Sequence, residues 1–308
     1  MGISLSKAMG FFEAGGPEVL RLLEMDELQA GDGQVRVRVK AAGVQPFDVA
    51  VVAGVIHRAK DPGVPQIPGN EFAGIVDQVG AGVTGFARGD EVLGYGTLNS
   101  YREQLVVPAE QITIKPRNMS WEVAGGFSAG AQTADIGLKE IGVGKGDTLL
   151  VHGAAGAVGT IAVQLCRLWG ATVIGTARTA HHDYLRSLGA LPIAYGDQFV
   201  ERVRALAPDG VDACLDGVGG ATLPDTLELV RDRSRILTLV DHGKAADLGI
   251  RVTPLARSAA RLAGLADLYA QGKLTVHILE SFPLSLAADA LRRHQAGNVR
   301  GKIVLTVD

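Results

Sequence analysis

Asp147-Thr148-Leu149-Leu150-Val151-His152, then Gly153-Ala154-Ala155-Gly156-Ala157-Val158-Gly159, then Thr160-Ile161-Ala162-Val163-Gln164-Leu165-Cys166-Arg167-Leu168-Trp169 is a strand, a glycine turn and a helix in sequence form. The first segment is a short apolar run of buried-strand type. The third is apolar at helical spacing. A glycine turn in that context lets the backbone approach a pyrophosphate, and the helix amino terminus adds N–H groups and a positive dipole end. Ala154 stands in the first glycine place, with Gly156 and Gly159 in the other two. The stretch therefore predicts a dinucleotide site built on Ala155, Gly156, Ala157, Val158 and Gly159.

Reading onward, the next strand ends Gly175-Thr176-Ala177-Arg178-Thr179, and no carboxylate follows before Asp183. NAD sites place an acid about 20 residues beyond the glycines for the ribose hydroxyls. Here Thr176 and Arg178 occupy that region, and a guanidinium can grip a 2′-phosphate bidentately where a carboxylate would repel it. The expected cofactor is NADPH. Two further strands end in Asp216-Gly217-Val218-Gly219-Gly220 and Val240-Asp241-His242-Gly243. Ligands bind outside the carboxyl ends of strands in such sheets, so Gly217, Val240 and Asp241 are placed on the cofactor rim. His242 is read as a packing or solvent residue.

Around this unit the pattern changes. Residues 1–120 read as short strands and turns, with strict alternation in Gln34-Val35-Arg36-Val37-Arg38-Val39-Lys40, which suggests a barrel-like β region. From 121 to 270 strands alternate with helices, the mark of a doubly wound parallel sheet. A helix at 286–295 and a last strand at 300–307 could rejoin the first region. The expected fold class is α/β, with a catalytic domain at 1–122 and 271–308 and a Rossmann domain at 123–270.

Composition removes several classes. Among 308 residues the net charge is −3 and no basic cluster appears, which argues against nucleic acid. No run of 18 apolar residues predicts a membrane span, and no signal peptide is visible. The two cysteines, Cys166 and Cys214, make no CxxC and read as buried thiols in a reducing, cytoplasmic setting. Met1–Ser6 fits an acylation pattern and Asn118-Met119-Ser120 a glycosylation pattern, both short enough to arise by chance.

Gly69-Asn70-Glu71-Phe72-Ala73-Gly74-Ile75-Val76, then Gly80, Gly82-Val83 and Gly89-Asp90-Glu91-Val92, resembles the signature of medium-chain dehydrogenases/reductases. Ala41–Asp48, the 153–159 turn and Gly301-Lys302-Ile303-Val304-Leu305 resemble its quinone oxidoreductase branch, the one typified by zeta-crystallin. The resemblance implies a GroES-like barrel interrupted by a Rossmann domain, NADPH as cofactor, a homodimer, and quinones or activated alkenes as small-molecule substrates. It implies that Tyr195 packs near the adenosine phosphate and that Thr133 lies beside the nicotinamide. The zinc branch needs a cysteine in the first motif and a histidine before the glutamate. Gln45 and Asn70 stand there instead, so no metal is expected.

Two departures bear on chemistry. The branch's asparagine before proline is Gln45, and the tyrosine often found after the aspartate is replaced by aliphatic Val49-Ala50-Val51-Val52. Gln45 is read as the substrate-facing amide and Asp48 as a structural carboxylate capping a turn. Tyr95 and Tyr101 are read as core or surface residues. The loop at 51–68 is placed at the substrate mouth. Hydride addition to an electrophilic carbon needs no metal, so the reading is an NADPH-dependent reductase of quinones or α,β-unsaturated carbonyls. An enoyl-thioester or biosynthetic ene-reductase and a non-catalytic NADPH-binding protein stay open as alternatives.

Overall fold

The computed structural model describes residues 5–56 and 63–308. Met1–Ser4 of the acylation-like stretch, and His57, Arg58, Asp61 and Pro62 of the loop placed at the substrate mouth, lie outside the described residues. The chain forms two units: Met1–Ala129 with Ser258–Ala270 and His277–Asp308, and Gly130–Arg257 with Gln271–Val276. In chain order come β1 (Leu5–Gly10), β2 (Arg21–Asp26), β3 (Gln34–Val44), α1 (Pro46–Val52), β4 (Glu71–Val79), β5 (Glu91–Tyr95), β6 (Gln104–Pro108), β7 (Ile112–Ile114) and α2 (Trp121–Gly125). Next are α3 (Ser128–Glu140), β8 (Thr148–His152), α4 (Ala157–Trp169), β9 (Thr172–Thr176), α5 (His182–Leu188), β10 (Leu191–Ile193), α6 (Phe199–Leu206), β11 (Ala213–Asp216) and α7 (Thr222–Leu229). They are followed by β12 (Ile236–Thr238), α8 (His242–Leu248), β13 (Arg251–Val252), α9 (Ala259–Ala270), β14 (Ile278–Pro283), α10 (Ala287–Gln295) and β15 (Lys302–Thr306).

In the first unit the alternation of β3 does what its period requires. Val35, Val37 and Val39 are fully buried, while Arg38 is exposed. The strand is long enough to be used twice. All along one edge it pairs antiparallel with β4; on the other edge its first half takes β6 and its second half takes β15. The last strand of the chain thus rejoins the first region, Ile303 facing Val44 and Leu305 facing Ala42. Phe72, Val76, Leu105, Ile303 and Leu305 fill the core beneath.

The expected domain limits differ from these units. The first unit runs on to Ala129, and α9, expected with the second domain, belongs to the first. Side-chain contacts explain the assignment: Asn118 Nδ2 donates to Ala270 O at 3.1 Å, and the Phe127 and Tyr269 rings meet edge to face with centroids 6.0 Å apart. The sequence reading assigned 259–270 to the second domain only as part of the 121–270 alternation, which carries no information about which core accepts a given helix.

The second unit is a six-stranded parallel sheet in the order β10-β9-β8-β11-β12-β13. That is the doubly wound order, with the strand order reversing between β8 and β11. Cys214, Leu150, Ile174 and Ile236 form the sheet's contribution to the core. Helix α4 starts at Gly156 and stops at Gly170, whose left-handed φ of 80° lets the N–H groups of Gly170 and Ala171 turn back to Arg167 and Cys166. Three elements of this unit were not read as such in the sequence: helix α3, most of which lies here, the short helix α8, and the two-residue edge strand β13.

Candidate functional site

The glycine turn joins β8 to α4. Gly153 has φ +72°, and its carbonyl would lie 2.5 Å from a Cβ at position 159. Only glycine at 159 lets the helix start so close to the strand end. The first bond within α4 runs from Thr160 N–H to Gly156 O at 2.9 Å, so the N–H groups of Ala157, Val158 and Gly159 precede it. Gly156 supplies no side chain to cap them. Donors left so, beside a turn too close for a Cβ, fit an anionic pyrophosphate.

The residues expected around this turn gather at the carboxyl ends of the strands. Thr176, fully buried, ends β9. Its hydroxyl donates to Val151 O and accepts from Gly153 N, both at 3.3 Å. The Tyr195 hydroxyl accepts from Gly153 N at 3.1 Å, so this half-exposed ring reaches the turn itself. Arg178 is exposed at the end of the loop after β9. Gly217 and Val240 are exposed on the rim. Asp241 turns its carboxylate to Gly220 N at 2.6 Å, a hydrogen bond that lowers its pKa. It serves the neighbouring loop. Thr133 lies half-buried on α3.

Beneath the rim lies a polar network that the sequence reading did not foresee. Asp216, fully buried, accepts from Val218 N, Gly219 N, Thr222 Oγ1 and Thr238 Oγ1 at 2.9–3.2 Å. His152, 1% exposed, bonds Thr176 Oγ1 through Nδ1 at 3.2 Å and Thr226 Oγ1 through Nε2 at 2.9 Å. Burial pushes its imidazole down to about 4, against the pull of Asp216. His152 is therefore neutral and ties β8, β9 and α7 together. Polar residues closing otherwise apolar strands, at 152, 216 and 238, were the available signal.

The first unit holds a second, tighter constellation. Helix α1 opens with Gln45 and Asp48 as a capping box, Gln45 N donating to Asp48 Oδ2 at 2.9 Å. Asp48 also accepts from Gly69 N at 3.2 Å and from the Tyr101 hydroxyl at 3.0 Å. It is the structural carboxylate expected. Burial raises it to about 7, although Tyr101, Lys302 and the Gln45 N–H all favour its charged form. Tyr101, fully buried, is a core residue whose burial and neighbouring carboxylates raise its own pKa further.

Glu71 sits beside them at the start of β4. Its Oε1 is 2.5 Å from Lys302 Nζ and accepts from Gln45 Nε2 at 2.7 Å; its Oε2 accepts from Ala129 N at 2.6 Å. Gln45 Nε2 also donates to Asn70 Oδ1 at 3.2 Å. A Cβ at Gly43 would collide with the Glu71 carboxylate, so glycine in β3 makes room for the acid. The sequence reading placed Gln45, Asp48, Asn70 and Glu71 near one another but missed Lys302, 231 positions after Glu71 and brought in by β15.

Zinc does not fit this donor set. Two of the positions carry amides. The Glu71 carboxylate is committed to an ammonium and two N–H donors, and Asp48 to three donors of its own. Zinc sites use sulfur, imidazole and free carboxylate ligands. Both thiols lie in the other unit, buried, with pKa values raised by that burial, Cys166 to about 12.

Comparison with known proteins agrees with this geometry. Residues 31–128 match the family model described as alcohol dehydrogenase GroES-like domain, and residues 188–305 that described as zinc-binding dehydrogenase. A human protein named synaptic vesicle membrane protein VAT-1 homolog is 29% identical over 89% of this chain and 79% of its own length. The Arabidopsis thaliana NADPH-dependent alkenal/one oxidoreductase of the chloroplast is 29% identical over 97% of this chain and 79% of its own. The solved structure of the quinone oxidoreductase from Coxiella burnetii superposes with a TM-score of 0.90 at 28% identity, covering 99% of this chain and 100% of that one. With a GroES-like unit, a Rossmann-like unit and relatives of this kind, the chain belongs to the medium-chain dehydrogenase/reductase superfamily, in its zinc-free quinone oxidoreductase branch.

Proposed function

We propose that this oxidoreductase uses NADPH to reduce a quinone or an α,β-unsaturated carbonyl, without a metal. The observation that carries the reading is the pairing of a pyrophosphate-type glycine turn with Arg178 at the end of β9. The Arg178 side chain makes no hydrogen bond or ion pair among the described residues, and only its backbone carbonyl is engaged, by His181 N at 2.9 Å, so its guanidinium is available for a 2′-phosphate. Ala155–Gly159 cradle the pyrophosphate, Thr176 and Tyr195 hold the turn in shape, and Gly217 and Val240 border the nucleotide. Asp241 acts through the 217–220 loop that it anchors. Thr133 faces the nicotinamide in this reading.

Bound there, NADPH supplies a hydride to the electrophilic carbon of the acceptor. The displaced electron pair moves onto the acceptor's oxygen, and a proton from water completes the hydroquinone or the saturated carbonyl. The chain's part is to orient the acceptor, donate a hydrogen bond to its oxygen and exclude competing reactions. A homodimer and a cytoplasmic setting are included in the proposal and rest on the family resemblance. Among the described residues no helix is long and apolar enough to cross a membrane.

The test is oxidation of NADPH and of NADH, each with a panel of quinones, enones and enoyl thioesters, in the presence of a metal chelator. The proposal expects NADPH oxidation with at least one quinone or enone, undiminished by the chelator. Turnover with enoyl thioesters alone selects the ene-reductase reading. Tight NADPH binding with no turnover on any acceptor selects a non-catalytic role.

A further inference from the structure

The buried cluster of the first unit has a direction. A carboxylate only accepts hydrogen bonds, and Glu71 is ion-paired through Oε1 with Lys302 Nζ at 2.5 Å. The end of the Gln45 amide that lies 2.7 Å from Glu71 Oε1 must therefore be its nitrogen. That nitrogen carries two hydrogens. One goes to Glu71, and the other goes to Asn70 Oδ1 at 3.2 Å. Gln45 has no donor left to offer a substrate.

The same chain orients Asn70. Its carbonyl oxygen is held by Gln45, so its NH2 group is fixed at the other end of the same planar amide. Asn70 is only 6% exposed, and its Nδ2 has no partner among the described residues. That nitrogen is not one of the buried unpartnered atoms, so it is the part of this otherwise buried side chain that reaches the surface. It suits a ligand that brings an acceptor oxygen.

We propose that Asn70 is the residue that donates a hydrogen bond to the acceptor's carbonyl oxygen, and that Lys302, Glu71 and Gln45 are positioning residues that turn its NH2 group outward. The substrate class follows from the donor: a neutral carbonyl whose oxygen gains charge as hydride arrives at the conjugated carbon. This rests on the hydride-transfer reading above. It moves the substrate-facing role expected of Gln45 to Asn70 and leaves Gln45 one step behind.

The experiment compares wild type with Asn70→Ala, Asn70→Asp and Gln45→Met, using NADPH with 2-cyclohexenone and with 1,4-benzoquinone. Aspartate keeps the shape and the acceptor for Gln45 but loses the donor, so it serves if alanine fails to fold. Loss of one donor to a developing oxyanion lowers turnover by about 10²-fold or more. That loss is expected on cyclohexenone for both Asn70 variants and, in smaller measure, for Gln45→Met. It is expected to shrink severalfold on the more electrophilic quinone, which needs less help at oxygen, while NADPH affinity stays unchanged. A purely structural role would lower both acceptors by the same factor. The inference is overturned if folded, NADPH-binding Asn70 variants keep cyclohexenone turnover within about threefold of wild type, or lose equally on both acceptors. If wild type turns over neither acceptor, the hydride-transfer reading itself fails, and this inference with it.

Discussion

Replacing Lys302 by methionine probes the buried constellation most sharply. Lys302 is 2% exposed and Glu71 fully buried, with 2.5 Å between Nζ and Oε1. Both ions have already been taken out of water, so removing one leaves the other's desolvation without its partner. Breaking such a pair costs about 3–5 kcal/mol. Two N–H donors, Gln45 Nε2 and Ala129 N, stay on Glu71 and place the expected loss for Lys302→Met near the low end, about 3 kcal/mol. The double variant Glu71→Gln/Lys302→Met removes both charges and should recover roughly 2 kcal/mol of that. The assay is urea unfolding followed by Trp121 fluorescence, with Trp169→Phe as background; these are the chain's two tryptophans, one in each unit. A Lys302→Met loss below about 1 kcal/mol, or a double variant no more stable than the single, would refute a strongly coupled buried pair.

Four further outcomes follow, three from the second unit and one, at Asp48, from the first. Arg178→Ala should weaken NADPH binding by about 10- to 100-fold, the worth of a charge-assisted hydrogen bond of roughly 1.5–3 kcal/mol, and leave NADH binding alone; equal effects on both in titration calorimetry would remove the 2′-phosphate assignment. His152 titrates at about 4 in the folded chain against 6.5 unperturbed. As pH falls below 6.5 the unfolded chain takes up the proton first, and stability is lost down to about 4. Between pH 7 and 5 this amounts to about 2 kcal/mol, a fall that His152→Gln should remove from denaturation curves. Asp48, raised to about 7, works oppositely: its contribution is present at low pH and lost as pH rises through 7, so Asp48→Asn should steepen the acid loss. Gly159→Ala meets backbone, Gly153 O at 2.5 Å and Ala154 Cα at 2.6 Å, and should abolish measurable NADPH binding by opening the turn; retained affinity would show that the close approach is not needed.

The legible part of this protein was the local part. Alternation identified β3, helical spacing identified α4 and α10, and the glycine turn located the junction of β8 and α4 because its geometry lies within one strand-turn-helix unit. The family motifs added the long-range closure by β15. Residues whose roles depend on distant partners stayed hidden. Lys302 is in the last strand and Glu71 in β4, and only the β15–β3–β4 order brings them together. His152 and Asp216 carried a faint signal as polar ends of apolar strands, but their partners Thr176, Thr226 and Thr238 come from three other elements. Gln45 was recognised as a departure, yet which way its amide points is settled by Glu71 rather than by its own neighbours in sequence.

Hydride transfer from NADPH to a conjugated carbon is read out with NADPH carrying deuterium at both C4 positions and an enone acceptor, following the label by mass spectrometry and NMR. One deuteron is expected at the β-carbon of the saturated product and none in water, with the α-hydrogen drawn from solvent. Product without label at the β-carbon, or NADPH bound and never oxidised, would contradict it.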